Sequence, residues 1–374
     1  MKIYCISEGQ LWCAGEPPVR VECGRVRDYL KAVSDMKKRD EWKTTGKGAA
    51  FMNVMETEYD TDSQFLRSIG TDGTRLVYTT FIDKFGGMYY KNTESGDETY
   101  IFANQTVDPG RMSFGNGKCC IEIGEGPYER HLALVDTGNG GVEQLTEGFT
   151  SESTPFISRH DPEKIYYTAM GYAQDNYGRV QEKSPCSVCV FSSADGSLAE
   201  VVSDPGYDHI KPSDTAQGEL FYIRRKYQPM RRSSHLGEDI ALFPVRIIKA
   251  IGGFLSVFSM RYGGGPLRTG GNNPAKSREA DEKELFVEGN LIKAKQLSEK
   301  SDPDEGIIPE EWTLIKRSPA GEETVVLRGV MDYVLTDGGD IVYSDGRAVR
   351  VLRAGGKKEK ICSLKLANCL TVIS

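Results

Sequence analysis

Short apolar segments, separated by turns rich in Asp, Gly, Pro and Thr, recur along most of this chain. The clearest copy is Ser153–Met170, in which a short strand ending at Ile157 is followed by a polar turn at Arg159–Glu163 and a second strand at Lys164–Ala169. Asp and Pro favour bends, so this turn ends the first strand. Weaker copies stand at Ser68–Thr80, Lys211–Ile223 and Tyr333–Ser344. A repeat of roughly 40 residues with this content predicts the blades of a β-propeller.

The repeats predict an all-β fold, a six-bladed β-propeller that occupies residues 1–374 as a single domain. The first blade begins with the strands of Met1–Cys23. The later blades are expected near Asp60–Asn104, near Gln105–Gly148, from Phe149, from Tyr207 and at about Val330–Leu364. The last apolar segment, Cys369–Ile373, has no partner of its own. We therefore expect it to complete the first blade and close the ring, which leaves no open sheet edge.

Two segments depart from the strand pattern. In the first, residues 24–47, apolar residues recur at spacings of three and four between Val26 and Met36, which predicts an amphipathic helix as an N-terminal elaboration. The second, residues 228–301, interrupts the fifth blade and has no strand period for most of its length. The delayed outer strands of that blade are expected at Trp312–Lys316 and Glu323–Leu327.

A further amphipathic helix is predicted within the second of these segments. Three interpretations of it remain open: a lid on the blade's own surface, a docking helix for a protein partner, or an anchor at a membrane surface. Arg246, Lys249 and the pair Gly252-Gly253 interrupt the apolar run, so a membrane-spanning helix is not expected. The predicted partner-binding residues are those of its apolar face, Ile247, Ile248, Ile251, Phe254, Leu255 and Phe258.

Two of the turn-and-strand segments carry a recognisable motif. TDGTRLVYTT, which begins at Thr71, and HDPEKIYYTA, which begins at His160, resemble the S-P-D-G-x-x-I-x-F repeat of TolB-like, WD40-like β-propellers. The resemblance covers most of the chain except the two departing segments. It implies a propeller that acts as an interaction platform, because members of this family commonly do so. Some members carry a fused peptidase domain, and no such second domain fits in this chain.

The charge and cysteine content narrow the function classes. Charged residues make up 27% of the chain and the net charge is -7, whereas nucleic-acid-binding proteins usually present a basic face. No apolar run of the kind a secretory signal needs follows Met1–Ile6. The nine cysteines, an odd number without paired spacing, indicate reduced thiols. We therefore expect a cytoplasmic protein that does not bind nucleic acid.

Two short motifs suggest chemistry but have a simpler structural interpretation. Cys186-x-x-Cys189 is not followed by the second ligand pair that a zinc site needs, and it is expected in a strand rather than at the start of a helix. The segment from Gly270 to Ser277 nearly matches a phosphate-binding loop. However, Ala275 replaces its second glycine and Pro274 removes an amide donor, so no nucleotide or other cofactor is predicted.

The remaining candidates are histidines and turn aspartates. His160 lies in a predicted turn and His209 is expected near the equivalent point of the next blade, so both could reach one rim of the ring. Solvated turn residues explain such a pair more simply than a metal site. Asp72 and Asp337 occupy positions where Asp caps the backbone of a turn. No catalytic or metal-ligating residue is predicted, and no G-x-S-x-G elbow is present.

The sequence therefore favours a non-enzymatic interaction scaffold for a protein partner, with the ring face and the inserted helix as contact surfaces. The alternative is an enzyme of the hydrolase or lyase class, or a small-ligand-binding protein, with its site in the central channel. The side chains that line the channel distinguish the two. A convergent cluster of His, Asp, Glu or Arg favours an enzyme or small-ligand site, and a lining of backbone and small residues favours a scaffold.

Overall fold

The computed structural model describes residues 1–44, 65–82, 84–105, 107–124, 129–148, 150–174, 180–229, 284–287, 290–293 and 305–373. Within these ranges the chain forms 27 strands and one helix, α1, at Gly24–Thr44. In the part of the chain that the structure describes, no helix is both long enough and apolar enough to cross a bilayer.

The strands are numbered here in chain order. In the first half they are β1 (Lys2–Ser7), β2 (Gln10–Ala14), β3 (Val19–Val21), β4 (Leu66–Thr71), β5 (Leu76–Ile82), β6 (Phe85–Lys91), β7 (Glu98–Asn104), β8 (Asp108–Gly115), β9 (Lys118–Gly124), β10 (Arg130–Val135), β11 (Val142–Gln144), β12 (Thr150–Ile157) and β13 (Lys164–Gln174). In the second half they are β14 (Val180–Lys183), β15 (Ser187–Ser192), β16 (Leu198–Val202), β17 (Tyr207–Asp214), β18 (Leu220–Lys226), β19 (Glu284–Val287), β20 (Asn290–Lys293), β21 (Thr313–Arg317), β22 (Glu323–Arg328), β23 (Asp332–Leu335), β24 (Ile341–Ser344), β25 (Ala348–Leu352), β26 (Lys358–Ser363) and β27 (Asn368–Ile373).

Most of these strands belong to antiparallel sets of four. Separate sheets are formed by β27-β1-β2-β3, by β4 to β7, by β17-β18-β21-β22 and by β23 to β26. A nine-stranded sheet contains two further sets, β8 to β11 and β12-β13-β15-β16, with β14 paired to β13. Strand pairing between these two sets, within the described residues, is limited to one position, where Arg130 of β10 lies opposite Ser151 of β12 in a parallel arrangement. The architecture is that of a β-propeller, as the repeats predicted.

The first strand of each set, in the orders just given, faces the centre of a ring. Neighbouring first strands are in contact in the order β27, β4, β8, β12 and β17, and β23 contacts β27. The circuit between β17 and β23 is completed by hydrogen bonds, since the Tyr333 hydroxyl donates to the Lys211 carbonyl at 2.8 Å. We call these six strands the inner strands. The sets are numbered from first to sixth by their inner strands, in the order β27, β4, β8, β12, β17 and β23.

The apolar core lies between neighbouring sets rather than inside one sheet. One cluster joins Val77 and Met88 of the second set to Cys119 and Ile121 of the third, and all four side chains are almost fully buried. Another joins Cys5 of β1 to Val349 of β25 across the joint between the first and last sets. Burial on both faces explains why several strands carry nearly continuous apolar residues instead of a strict alternation.

The predicted ring closure by the C-terminal strand is confirmed. β27 pairs antiparallel with β1, with Lys2 opposite Ile373 and Tyr4 opposite Thr371. The first set therefore contains strands from both ends of the chain, so its hydrogen bonds join the ends of the ring. The outer strands of the interrupted fifth blade are also found where they were predicted, as β21 and β22.

Helix α1 is held against the second set at its beginning. The Glu98 carboxylate of β7 accepts a hydrogen bond from the Gly24 backbone N–H at 2.9 Å and one from the Tyr78 hydroxyl at 2.6 Å. An acidic group at this place accepts a hydrogen bond from a backbone amide of the first turn that has no partner within the helix. It also interacts favourably with the positive end of the helix dipole. Of the apolar residues in this helix, Val33 is buried and Met36 is 40% exposed.

The long segment between β18 and β21 contains one hairpin within the described residues. Glu284–Val287 pairs antiparallel with Asn290–Lys293. This hairpin lies in a segment that the sequence predicted to lack strand structure for most of its length. The predicted helix with the apolar residues from Ile247 to Phe258 lies outside the described residues, as does the loop from Gly270 to Ser277.

Candidate functional site

The inner strands surround a cavity of about 840 Å³ that opens at one end of the ring. Pockets that hold small molecules commonly measure ~300–1,000 Å³, so the cavity has room for a ligand. The turns that follow the inner strands form its rim, for example Asp72 and Gly73 after β4 and Asp337 and Gly338 after β23. Every inner strand contributes to its wall, through residues that include Gly70, Arg111, Thr154, Lys211, Asp332 and Leu370.

Bulges shape the inner strands at the level of the cavity. The register with the next strand shifts at Leu66/Ser68 in β4, Pro109/Met112 in β8, Ser153/Phe156 in β12, Ile210/Ser213 in β17, and in β27 opposite Tyr4/Ile6. Thr154 and Lys211 adopt positive φ angles of 50° and 56° within such bulges. A bulge bends a strand and redirects a side chain. Arg111 and Lys211, which both lie in bulges, are thereby brought into the wall of the cavity.

Three charged side chains from three different sets meet in the wall of the cavity. A guanidinium nitrogen of Arg111 lies 3.4 Å from one carboxylate oxygen of Asp332, and the Lys211 ammonium lies 3.2 Å from the other. The Asp332 side chain is 3% exposed, that of Lys211 6% and that of Arg111 15%. We call these three residues the floor of the cavity. In the order of inner strands, β8 and β23 are three places apart in either direction, so Arg111 reaches Asp332 across the ring.

Asp332 is bound to the backbone as well as to the two basic side chains. One carboxylate oxygen accepts a hydrogen bond from the Tyr333 N–H at 3.0 Å, and the other accepts one from the Leu370 N–H of the closing strand at 3.3 Å. A buried carboxylate needs such partners, because removal from water is otherwise very costly. Asp332 is therefore fixed in place by the last set and by the closing strand.

Lys211 and Tyr333 are linked to each other between the fifth and sixth sets. The Lys211 ammonium donates to the Met331 carbonyl at 2.9 Å, while the Ser213 hydroxyl donates to the Tyr333 hydroxyl at 2.9 Å. Burial raises the pKa of Tyr333 above its ordinary value, so its phenol stays neutral and acts as a hydrogen-bond donor. These contacts fix Lys211 and Tyr333 in place and engage the Ser213 and Tyr333 hydroxyls.

The rim carries ion pairs that are more exposed. Arg75 contacts Asp72 at 2.8 Å and places its guanidinium 3.5 Å from the centre of the Tyr90 ring. Arg159 contacts Asp337 at 3.4 Å. Asp72 also caps its own turn, and although burial opposes the change, hydrogen bonds from the Arg75 and Thr74 amides lower its pKa. The predicted turn role of Asp72 agrees with these contacts.

The lining of the cavity is more basic than the protein as a whole. Its charged side chains are the basic Arg75, Arg111, Lys118, Arg159 and Lys211 and the acidic Asp72, Asp332, Asp337 and Asp340. The lining therefore carries one positive charge in excess, whereas the net charge of the chain is -7. Apolar side chains, among them Phe114, Phe156 and Leu370, lie between the charged ones. The arrangement suits an anionic ligand that also has apolar groups.

A second buried charge network lies at the end of β8 away from the rim. Arg130 contacts both Glu122 and Asp108, and Arg67 contacts Asp108 at 3.3 Å. Gly110 is required beside it, since a Cβ atom there would lie 2.5 Å from the Glu122 carboxyl carbon. With the Arg130 side chain 6% exposed and Glu122 1% exposed, this network joins β4, β8, β9 and β10 and has a structural role.

The predicted pair of rim histidines is not formed. His160 is exposed in the turn after β12, where its Nδ1 lies 3.0 Å from the Ala216 carbonyl oxygen. His209 is buried near the start of β17, at the end of that strand away from the rim, and its ring packs against the Tyr222 ring. The prediction was wrong because it placed His209 in a turn, whereas the turn of that set follows Asp214. His235 lies outside the described residues.

The two cysteines of Cys186-x-x-Cys189 lie away from the cavity. Cys186 and Cys189 are buried in the core of the fourth set, and burial raises the pKa of both thiols. In the parts of the chain that the structure describes, no group of three or more His, Cys, Asp or Glu side chains is arranged to hold a metal ion. Sequence reasoning missed Arg111, Lys211 and Asp332. The available signal was a basic residue beside proline or glycine in the middle of an inner strand, as in Lys211-Pro212 and Gly110-Arg111.

Comparison with known proteins identifies the fold. No protein-family model matches the sequence, and no curated protein matches it. TolB from Acinetobacter baumannii has a similar structure, with a TM-score of 0.51 and 10% sequence identity over 99% of this chain and 66% of that TolB chain. A chain of the nidogen–laminin complex gives a TM-score of 0.47 and 8% identity, over 99% of this chain and 97% of that one. The TolB-like β-propeller predicted from the repeats is therefore confirmed at the level of the fold.

Proposed function

We propose that this protein is a non-enzymatic interaction scaffold that receives an acidic segment of a protein partner in the cavity at the centre of its ring. The observation that carries the proposal is the excess of basic side chains in the cavity lining of a chain whose net charge is -7. The lining contains both signs of charge, five basic and four acidic side chains, and its positive excess favours a ligand of complementary, negative charge. The proposed compartment is the cytoplasm, which the nine free thiols support.

The proposal includes a six-bladed ring as the framework of the site. The four-stranded sets correspond to six blades in which β27 completes the first, and each blade contributes its inner strand to the cavity. The cavity has a mouth lined by the turns that follow the inner strands. A partner segment entering there passes Arg75 and Arg159 at the rim before it reaches Arg111 and Lys211 at the floor.

The nature of the lining favours a peptide over a highly charged small molecule. Phe114, Phe156 and Leu370 provide apolar contact area beside the basic residues. A peptide with acidic and apolar residues matches both kinds of surface, and its two ends can leave by the open mouth. Contacts of this sort give specificity through charge complementarity and affinity through apolar burial.

The floor is better suited to binding than to catalysis. The described residues that line the cavity include no histidine. The Ser213 and Tyr333 hydroxyls both donate hydrogen bonds to other oxygens, and the Lys211 ammonium is paired with Asp332. Nucleophilic catalysis needs a nucleophile that is activated by an adjacent base. The engagement of these groups therefore supports the scaffold over a hydrolase that works through a covalent intermediate, whereas the convergence of Arg111, Lys211 and Asp332 fits the enzyme or small-ligand alternative.

A second contact element is proposed in the segment between β18 and β21. It is the amphipathic helix predicted from the sequence, with Ile247, Ile251, Phe254 and Phe258 on its apolar face. An exposed face of this kind typically marks a partner site. The cavity and the helix would then bind two parts of one partner, which raises affinity without new contacts at either place.

The test is a binding measurement with peptides of opposite charge. Fluorescein-labelled hexaglutamate should bind the wild-type protein saturably, and hexalysine should not. Raising the salt concentration should weaken the binding, because it screens the exposed rim charges. Inorganic phosphate and succinate serve as small anions. If either of them binds saturably while hexaglutamate does not, the small-ligand alternative replaces the scaffold. The absence of saturable binding by all of these anions would contradict the proposal.

A further inference from the structure

We propose that Asp332 is an internal competitor of the ligand: its carboxylate occupies Arg111 in the free protein, and an acidic ligand binds by taking that guanidinium from it. This inference rests on the proposed function of the cavity. It names a regulatory contact inside the site, and it predicts that the free and bound states differ in the partner of Arg111. The ligand group concerned is a carboxylate, the chemical group that Asp332 itself presents.

The first observation is the position of the pair. Arg111 and Asp332 both line the cavity, on inner strands that lie on opposite sides of the ring. The ion pair therefore crosses the cavity floor, where an entering acidic side chain meets the guanidinium and the carboxylate together. A ligand carboxylate at this place is attracted by Arg111 and repelled by Asp332.

The second observation is that the four contacts of Asp332 are unequal. The contacts with the Tyr333 N–H, the Lys211 ammonium and the Leu370 N–H measure 3.0, 3.2 and 3.3 Å, and the contact with Arg111 is the longest at 3.4 Å. Strong charge-assisted hydrogen bonds measure about 2.7–2.9 Å and are often bidentate for arginine. All four contacts exceed this length, so distance alone does not single out Arg111. Two of the donors are backbone amides, which cannot leave, and of the two side chains Arg111 is 15% exposed and Lys211 6%, so the Arg111 contact is the one that exchanges most easily.

The third observation is the difference in freedom between the two side chains. Asp332 is 3% exposed and is fixed by two backbone amides. Arg111 has a longer side chain and is 15% exposed. When a ligand enters, Asp332 stays in place with Lys211 and the two amides as partners, and the Arg111 guanidinium turns toward the ligand. The carboxylate left behind keeps three donors, which is why the exchange does not strand a buried charge.

The Arg111–Asp332 contact also determines which ligands can bind in the cavity. A weakly acidic or singly charged ligand does not compensate for the loss of the Arg111–Asp332 contact, so the internal carboxylate sets a threshold for ligand charge. Removing the negative charge of Asp332 should lower that threshold. The floor then holds two positive charges and no negative one.

The experiment compares Asp332→Asn with the wild-type protein and with Asp28→Asn, using labelled hexaglutamate as the probe. Asp332→Asn keeps the shape but only one oxygen acceptor, so one of the two backbone amides loses its partner, and thermal unfolding must first establish that the variant folds. It should bind hexaglutamate about tenfold more tightly because like-charge repulsion at the site is removed. Asp28→Asn removes the same charge on helix α1, outside the cavity, and should retain wild-type affinity.

The outcomes separate this inference from the proposed function. If the wild type binds hexaglutamate and Asp332→Asn binds it equally or more weakly, Asp332 is not a competitor, while the cavity remains the binding site. If neither protein binds, both proposals fail. A crystal structure of the wild-type protein with hexaglutamate provides a readout that needs no variant. It should show Arg111 on a peptide carboxylate, and an unchanged Arg111–Asp332 contact beside a bound peptide would overturn the inference.

Discussion

Arg111 and Asp332, separated by 221 residues in the chain, lie 3.4 Å apart across the cavity at the centre of the ring. Their contact joins the third set to the sixth, and through the Leu370 amide it also involves the closing strand. The same carboxylate therefore takes part in closing the ring and in lining the proposed site. Stability and binding should consequently respond to some of the same substitutions, and each variant needs a folding control.

Deletion of Cys369–Ser374 should unfold the protein or lower its melting temperature severely. The truncation removes most of β27, whose Cys369, Leu370 and Ile373 side chains are buried, and it removes one amide donor of Asp332. Burying one such apolar side chain contributes about 1.5–3 kcal/mol, against a total stability of about 5–15 kcal/mol for a typical domain. Thermal unfolding followed by circular dichroism is the measurement, and removal of Ser374 alone is the control. An unchanged melting temperature after the longer deletion would show that the ring does not depend on its closing strand.

The unfolding free energy should fall as the pH is lowered below about 6.5, partly because of His209. Burial lowers the pKa of His209 from its ordinary value of 6.5, and it outweighs the opposing effect of Glu323 and Asp204. The unfolded chain then binds a proton that the native state binds only at lower pH, so stability is lost as the pH falls through this range. Lowering this pKa by one unit corresponds to about 1.4 kcal/mol of unfolding free energy.

His209→Phe provides the comparison, because phenylalanine preserves the ring contact with Tyr222. Denaturant titrations of both proteins between pH 7.5 and pH 5, on the order of one pH unit apart, should show a smaller loss of stability in the variant. Identical pH profiles for the two proteins would mean that His209 is protonated equally in the native and unfolded states, in conflict with its burial.

Thiol reactivity should distinguish one cysteine from the other eight. Cys13 is half-buried, and the remaining cysteines are buried. Burial also raises the pKa of several of these thiols, among them Cys120, Cys186 and Cys189, which lowers their thiolate content further. The native protein should therefore react quickly with Ellman's reagent at a single thiol, and the others should react only after unfolding.

Cys13→Ala is the matched control, and it should abolish the fast reaction without changing the slow one. Rapid reaction of Cys186 or Cys189 in the native protein would contradict the burial of this pair. Elemental analysis of the purified protein should find no stoichiometric zinc, and about one zinc per chain would restore the metal-site interpretation of Cys186-x-x-Cys189.

The strands could be predicted from the sequence because their signals are local. Apolar segments on either side of Asp-Gly or Asp-Pro turns gave the positions of β4 and β5, of β12 and β13 and of β23 and β24, and the unpartnered segment at Cys369–Ile373 gave the closing strand. The periodicity from Val26 to Met36 similarly gave α1. The turns, the paired strands and α1 are each specified by residues within about ten positions of one another in the chain. The closing strand could be predicted because its apolar segment has no neighbouring segment to pair with.

The floor of the cavity could not be predicted because its residues are distant in the chain. Arg111, Lys211 and Asp332 become neighbours only after the ring closes and the bulges set the direction of their side chains. A bulge shifts the register by one residue, so alternation along the strand does not tell which side chain reaches the channel. The histidine prediction failed for a related reason, since turn and strand could not be told apart around His209.

The most direct test of the central claim is the affinity of Arg111→Gln for labelled hexaglutamate, measured beside the wild type and Arg27→Gln. Arg27 is an exposed arginine of helix α1 that pairs with Glu22 and Asp28, so its loss changes the net charge equally but leaves the cavity intact. The account predicts a loss of about tenfold or more for Arg111→Gln and no change for Arg27→Gln. If Arg111→Gln does not fold, the rim double variant with Lys118→Gln and Arg159→Gln replaces it and should also weaken binding. Equal affinities for the cavity variants, Arg27→Gln and the wild type would contradict the assignment of the ligand to the central cavity.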